Sequence, residues 1–204
     1  MELLCLMALL EVQDLHTYLY TRQGMNRAVN GVSFQLDRGR TLGLVGESGS
    51  GKTMTAMSVL RLVPRPAAHI VGGKIMFDGE DLLEKSESQM RKVRGAEIAI
   101  ILQDPLSSLN PVFSVKFQIG EALQLHQGLA GADLSNEIME NLRRVRVPSP
   151  QERMRDYPHQ FSGGMRQRVV GAIAISCQPK LLIADEPTTA LDSTIQAQYL
   201  NLLR

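Results

Sequence analysis

The chain has 204 residues, of which 44% are hydrophobic and 21% are charged, and its formal net charge is +1. This composition is typical of a globular protein with one sizeable core, and the near-neutral charge gives no electrostatic indication of nucleic-acid binding. The two cysteines, Cys5 and Cys177, lie far apart, and the four histidines are scattered. Neither set shows a metal-ligand spacing, so we expect no zinc site and a reducing, cytosolic setting.

The first ten residues form an apolar run that contains Glu2. The run is too short to span a bilayer and lacks a basic leader, so we expect neither a transmembrane helix nor a signal peptide. Met7 is a candidate for the natural start of translation.

The first half of the chain predicts mostly strands. Residues 9–20 and 28–36 are predicted as strands with a loop between them, and the apolar residues 41–45 as a buried strand. A helix is predicted over 54–62, and a strand over 72–79 that closes on an Asp-Gly turn. We therefore expect an antiparallel β layer beside a parallel core.

The predicted secondary structure changes from strands to helices after residue 105. Before that point, a charged helix is predicted at 84–94 and a continuous apolar strand at 98–102, and this strand is typical of a buried parallel sheet. Helical patterns at 115–127 and 134–145 then replace the strands. These patterns predict a helical insertion over 106–160.

The segment Gly46-Glu47-Ser48-Gly49-Ser50-Gly51-Lys52-Thr53 lies between a predicted strand and a predicted helix, the context that a phosphate-binding loop requires. Its glycines allow backbone N–H groups to approach phosphates closely, and the helix N-terminus favours negative charge. We expect Lys52 to reach the terminal phosphates and Thr53 to ligate Mg²⁺. The alternative is a plain glycine-rich turn, but the context favours a nucleoside triphosphate site.

After the insertion, residues 180–186 predict a buried strand that ends in two acids, Asp185 and Glu186. The first acid would hold a hydrated magnesium ion opposite Thr53, and the second would polarise an attacking water as a general base. Taken alone, an apolar run ending in acids is often only a strand end. An apolar helix is predicted over 169–176 and another helix over 193–204.

The segment Ser162-Gly163-Gly164-Met165-Arg166-Gln167 follows the insertion and precedes the acidic strand. In this order the motifs resemble those of ABC-transporter ATPases, over nearly the whole chain. The sequences of residues 46–52, 103–111, 157–165 and 184–192 are similar to those of the oligopeptide, dipeptide and nickel branch of bacterial importers.

The resemblance implies an α/β fold with a RecA-like P-loop NTPase core, an N-terminal antiparallel β layer and a helical insertion. Residues 1–204 would form a single, incomplete nucleotide-binding domain. Residues 1–105 and 161–204 would form the core with its β layer, and residues 106–160 the helical subdomain.

The resemblance also implies roles for single residues. Gln103 would touch the magnesium ion and sense the γ-phosphate, although a structural glutamine is the alternative. The signature residues would cap the γ-phosphate of ATP held by a second subunit, although Ser-Gly-Gly before a helix is often only a cap; these residues are Ser162, Gly163, Gly164 and Met165. Asp192 would lie at the dimer seam or cap the last helix. Tyr20 would stack on adenine, with Tyr18 or a core tyrosine as alternatives.

The implied mechanism is an ATP sandwich in which two such domains close head to tail over two nucleotides and drive a membrane permease. The partners would be integral-membrane permease subunits, an identical or paralogous ATP-binding subunit and, indirectly, an extracytoplasmic substrate-binding protein, with no nucleic acid. The permease's coupling helix would dock on the insertion and on residues 105–113. The subunit would be peripheral, on the cytoplasmic face of the inner (plasma) membrane.

The chain departs from the family pattern at its end. The family places a γ-phosphate histidine about 30 residues beyond the acidic pair, whereas the last histidine here is His159. This predicts a truncated chain that hydrolyses ATP poorly or not at all and lacks part of its sheet. The alternatives to a transport ATPase are an inactive cassette that only binds nucleotide or a partner, and a soluble ABC ATPase outside transport.

Overall fold

The computed structural model describes residues 8–22, 24–103, 108–188, 196–197 and 199–201. These residues divide between two compact units, residues 1–90 and residues 91–204. None of the described helices is both long and apolar enough to cross a membrane.

The first unit is organised around a four-stranded antiparallel sheet in the order β2-β1-β3-β4. The strands are β1 (Leu10–Thr21), β2 (Gly24–Leu36), β3 (Ala68–Phe77) and β4 (Glu80–Asp81). This sheet is the antiparallel β layer that the sequence predicts. Strand β2 begins earlier than expected, because Gly24 at φ 125° pairs directly with Thr21 and takes part of the predicted loop into the sheet.

Helix α1 (Lys52–Val59) starts two residues earlier than predicted and packs on β1 and β2 through one face. Thr55, Ser58 and Val59 are its buried residues. The Ser58 hydroxyl lies 2.8 Å from the hydroxyl of buried Thr17 on β1, so the polar atoms at this contact are paired.

The strand predicted at residues 41–45 is wrong. Residues 41–47 have no regular secondary structure in the described chain, and Val45 is 93% exposed. Neither of the two sheets contains this segment. An apolar run becomes a strand only when neighbouring backbone groups pair with it, and the sequence pattern does not report on that pairing.

Helix α2 (Glu87–Val93) crosses the boundary between the two units at residue 90. The second unit contains a parallel pair of strands, β5 (Ile98–Ile101) and β6 (Leu181–Ala184). The helices that follow β5 are α3 (Val115–Gln127), α4 (Gly131–Arg144), the short α5 (Pro150–Arg153) and α6 (Gly163–Ile175), with a 3₁₀ turn at Pro158–Gln160 before α6. Helix α3 has the predicted bounds: the Ser114 side chain caps its start, and Gly128 ends it in the left-handed conformation.

The core of the second unit lies where α3, α4 and α6 meet the parallel strands. Each helix buries one stripe of apolar side chains at helical spacing, such as Ile119 and Leu123 on α3 and Ile138 and Leu142 on α4. These residues are fully buried. The core therefore fixes α6 and the ends of β5 and β6, which carry the candidate site residues.

Candidate functional site

The candidate phosphate loop, residues 46–53, is an exposed turn that leads into the start of α1. Gly49 and Gly51 have φ angles of +80° and +92°, and Gly51 is the N-cap of the helix. A Cβ atom on Gly51 would lie 2.1 Å from the carbonyl oxygen of Ala28, so only glycine fits there. The loop conformation thus depends on backbone constraints that the glycine pattern predicts.

Lys52 lies across this loop. Its ammonium group donates to the carbonyl oxygens of Gly46 and Glu47, both at 2.8 Å. Thr53 follows in the first turn of α1 and is exposed. The structure therefore places a cation and a hydroxyl at a helix N-terminus, an arrangement that favours phosphate binding.

Gln103 and Glu186 meet in the second unit, although 83 residues separate them. The Gln103 side-chain amide donates to Oε2 of Glu186 at 2.6 Å. The parallel register pairs Ile101 with Ala184, so both residues lie two positions beyond their strand ends. The carboxyl ends of parallel strands are where open α/β sheets place their ligands.

Asp185 directly follows β6 in the sequence and is half-buried. Its backbone N–H donates to the Ile101 carbonyl at 2.9 Å. Of the donors proposed for magnesium, the second unit holds one carboxylate (Asp185) and one amide oxygen (Gln103), and the first unit holds one hydroxyl (Thr53). This set of oxygen donors suits Mg²⁺, which keeps several waters, and does not suit a softer metal. In the described residues no group of three or more histidines, cysteines or acids could hold a metal ion.

The signature segment forms the first turn of α6. The Ser162 side chain accepts a hydrogen bond from the Met165 N–H at 3.4 Å, so this serine is a helix cap as well as a candidate phosphate contact. A Cβ atom on Gly163 would meet nothing within 4 Å, so the backbone there is open to an approaching group. Both interpretations from the sequence are compatible with this geometry.

Tyr20 and Tyr18 differ in surroundings. Tyr20 is 50% exposed and contacts the His69 ring edge-on at 5.7 Å, so it is not a core tyrosine. Tyr18 is half-buried, with the Arg27 guanidinium 5.7 Å from its ring centre. Tyr20 therefore has the more accessible ring. Asp192, Asp104 and the first seven residues lie outside the described residues, so the structure places none of them.

Gln167 ends the segment that carries the family resemblance but was assigned no role of its own, and the structure buries it to 1% exposure. Its side-chain amide donates to the Pro187 carbonyl, directly after Glu186, at 2.8 Å. One signal could have identified it: Gln167 shares a helical stripe with buried Val170, Gly171 and Ala174. A polar residue in such a stripe requires a hydrogen-bonding partner.

A family profile described as "ABC transporter" matches residues 29–189. The chain is 53% identical over 195 residues to a probable peptide ABC transporter ATP-binding protein of Sinorhizobium fredii. It is 50% identical to the oligopeptide transport ATP-binding protein OppD and 49% identical to the dipeptide transport ATP-binding protein DppD, both of Bacillus subtilis. Each alignment covers 96% of this chain but only 58%, 55% and 58% of these relatives, so the chain spans little more than half of their length.

Solved structures share the fold. A dimeric bacterial ABC transporter cassette matches with a TM-score of 0.84 at 22% identity, over 95% of this chain and 81% of that one. The CbiO1 protein of Clostridium perfringens, part of an ABC transporter complex, matches with a TM-score of 0.76 at 25% identity, over 96% and 72% of the two chains. These matches confirm the predicted α/β P-loop NTPase fold.

Proposed function

The chain belongs to the ABC transporter family, and from this membership we propose that it is the ATP-binding and ATP-hydrolysing subunit that powers an importer of peptides. The observation that carries the proposal is the hydrogen bond between Gln103 and Glu186. It brings together, at the carboxyl ends of two parallel strands, a candidate general base and the residue that would sense the γ-phosphate.

In this proposal the loop from Gly46 to Thr53 binds the phosphates of ATP. Lys52 supplies positive charge at the terminal phosphates, and backbone N–H groups at the start of α1 supply donors. Tyr20 stacks on the adenine with its exposed ring.

Glu186 accepts a proton from the attacking water, and the Gln103 amide orients its carboxylate by donating to Oε2. Magnesium, when bound, neutralises charge that develops on the phosphates. Asp185, Thr53 and the side-chain oxygen of Gln103 would supply its protein ligands.

The signature turn at Ser162 to Met165 contacts the γ-phosphate of ATP bound by a second ATP-binding subunit. Its open backbone and helix N-terminus support this role. Residues 106–160 form the helical subdomain of the cassette and receive the permease, at the cytoplasmic face of the membrane. Within residues 106–160, Val112, Phe113 and Phe117 are exposed, and the centres of the two phenylalanine rings lie 4.4 Å apart in a stacked arrangement. Exposed apolar side chains of this kind support a protein-binding surface.

The proposal is tested by magnesium-dependent ATP turnover in the intact protein, assembled with its permease subunits in lipid. Glu186→Gln is expected to lower turnover by about 10²-fold or more while nucleotide binding persists, because the amide is not a base. Glu97→Gln, an acid paired with Lys180 at the amino ends of β5 and β6, away from residues 106–160, is the matched control and should leave turnover unchanged. A wild-type assembly that shows no turnover would contradict the proposal.

Peptide cargo is supported by the relatives named for peptide, oligopeptide and dipeptide transport. Uptake of labelled di- and oligopeptides and of Ni²⁺ into vesicles, with the matching binding protein supplied, tests this choice. ATP-dependent uptake of Ni²⁺ but of no peptide would show that the cargo is nickel.

A further inference from the structure

We infer that Gln167 and Gln196 are positioning residues that hold the backbone directly after Glu186 and thereby fix the direction of its carboxylate. The two glutamines donate to consecutive carbonyl groups, those of Pro187 and Thr188. The inference rests on the proposed function, in which Glu186 is the general base.

Gln167 provides the stronger contact. It lies on the buried face of α6, one turn beyond the signature turn, and is 1% exposed. Its amide reaches the Pro187 carbonyl at 2.8 Å, a good hydrogen-bond distance. A buried amide is stabilising only when it is paired, so the contact fixes both the Gln167 side chain and the Pro187 backbone.

Gln196 and Tyr199 add contacts from the last described residues. The Gln196 amide donates to the Thr188 carbonyl at 3.0 Å. Tyr199 is 2% exposed, and its hydroxyl donates to the backbone carbonyl of Gln167 at 3.2 Å. These bonds connect three parts of the second unit: α6, the segment after β6 and the residues around 199.

Glu186 itself has a constrained backbone, with φ at +47°. A non-glycine residue in this left-handed region costs about 1 kcal/mol or more, so surrounding contacts must hold it there. The bond from Gln103 fixes the end of its side chain, and the bond from Gln167 fixes the residue that follows it. Gln167 therefore connects the base mechanically to the helix that begins with the signature turn.

The test is Gln167→Leu in the intact protein assembled with its permease, with steady-state turnover and nucleotide affinity measured separately. Leucine has a similar volume but no donor. We expect kcat to fall by about 10- to 100-fold, because small displacements of a catalytic group have effects of this size. Nucleotide affinity should change by less than about twofold, since the Gln167 side chain bonds to the Pro187 carbonyl and is not one of the proposed nucleotide contacts. Gln196→Leu should have a smaller effect on kcat, because Gln196 is only half-buried.

Asn141→Leu is the matched control for loss of a buried amide. Asn141 is 0% exposed in the same unit, and its amide donates within α4 to the Glu137 carbonyl at 2.9 Å. This variant is expected to lose stability to a similar extent but to keep wild-type kcat in the molecules that fold. A fall in kcat equal to that of Gln167→Leu would show that Gln167 is merely structural and would overturn the inference.

A second measurement does not depend on activity. Hydrogen exchange of the backbone amides of Asp185, Glu186 and Thr188 should be faster in Gln167→Leu than in wild type, and unchanged in Asn141→Leu. Unchanged exchange in Gln167→Leu would overturn the inference even if the wild-type assembly hydrolysed no ATP. Absent wild-type turnover, in contrast, would contradict the proposed function alone.

Discussion

The phosphate loop at 46–53 and the segment at 185–188 are held in place in different ways. The loop is fixed locally: by its own glycines, by the adjoining helix and by Lys52, which bonds to carbonyls five and six residues away. The segment at 185–188 is held by three glutamine side chains, of which Gln103 lies 83 residues from its partner Glu186 and Gln167 lies 20 residues from Pro187.

This difference predicts two kinds of sensitivity. A loop fixed by backbone geometry should fail at single glycines, because no neighbouring side chain can adjust to make room. A segment held by several distant side chains should weaken by degrees as each contact is removed. We therefore expect the largest effect at a glycine of the loop and smaller effects at residues that support the segment at 185–188.

Gly51→Ala has the largest expected effect. The new Cβ would lie 2.1 Å from the Ala28 carbonyl oxygen, and φ is +92°. Strain and overlap together should cost about 3 kcal/mol or more and should abolish nucleotide binding. Thermal unfolding and binding of a fluorescent ATP analogue measure the two effects.

Gly49→Ala is the control for backbone strain alone, since φ is +80° there but a Cβ atom would meet nothing within 4 Å. It should cost about 1 to 2 kcal/mol. Equal losses in the two variants would show that the overlap at Ala28 is unimportant.

Tyr199→Phe has the next largest expected effect on the free energy of unfolding, and this effect depends on pH. Burial raises the pKa of Tyr199 to about 12, whereas the unfolded phenol titrates near 10. Below pH 10 both states are neutral and the contribution of the phenol is fully present. Between pH 10 and 12 the unfolded state loses the proton first, so the wild type should lose about 3 kcal/mol of stability relative to Tyr199→Phe. Denaturant unfolding at several pH values measures this, and parallel curves for the two proteins would contradict it.

The same difference between the two regions explains how far the sequence could be interpreted. The glycine spacing indicated a turn before a helix, and the positive φ angles of Gly49 and Gly51 agree with a turn because such angles are a local requirement. The register of β5 and β6 follows from neither strand alone, so the hydrogen bond between Gln103 and Glu186 was not predicted; each residue was assigned a separate role. The strand predicted at 41–45 was wrong, since an apolar run does not specify its pairing partner. Gln167 went unassigned, because its partner is a backbone carbonyl, which every residue carries.

Gly171→Ala should have a smaller effect on stability than Gly51→Ala and Tyr199→Phe. It tests the packing of α6 against Tyr199, whose hydroxyl donates to the Gln167 carbonyl. A Cβ atom on Gly171 would lie 2.7 Å from the Tyr199 hydroxyl oxygen, with two ring carbons at 3.1 and 3.3 Å. Displacing Tyr199 should cost about 1 to 3 kcal/mol, measured by denaturant unfolding at neutral pH. In the double variant with Tyr199→Phe the nearest overlapping atom is gone but the ring carbons remain, so the loss should be partly relieved. If the two changes are instead additive, the hydroxyl is not the source of the overlap, and the loss in Gly171→Ala comes from the ring carbons of Tyr199.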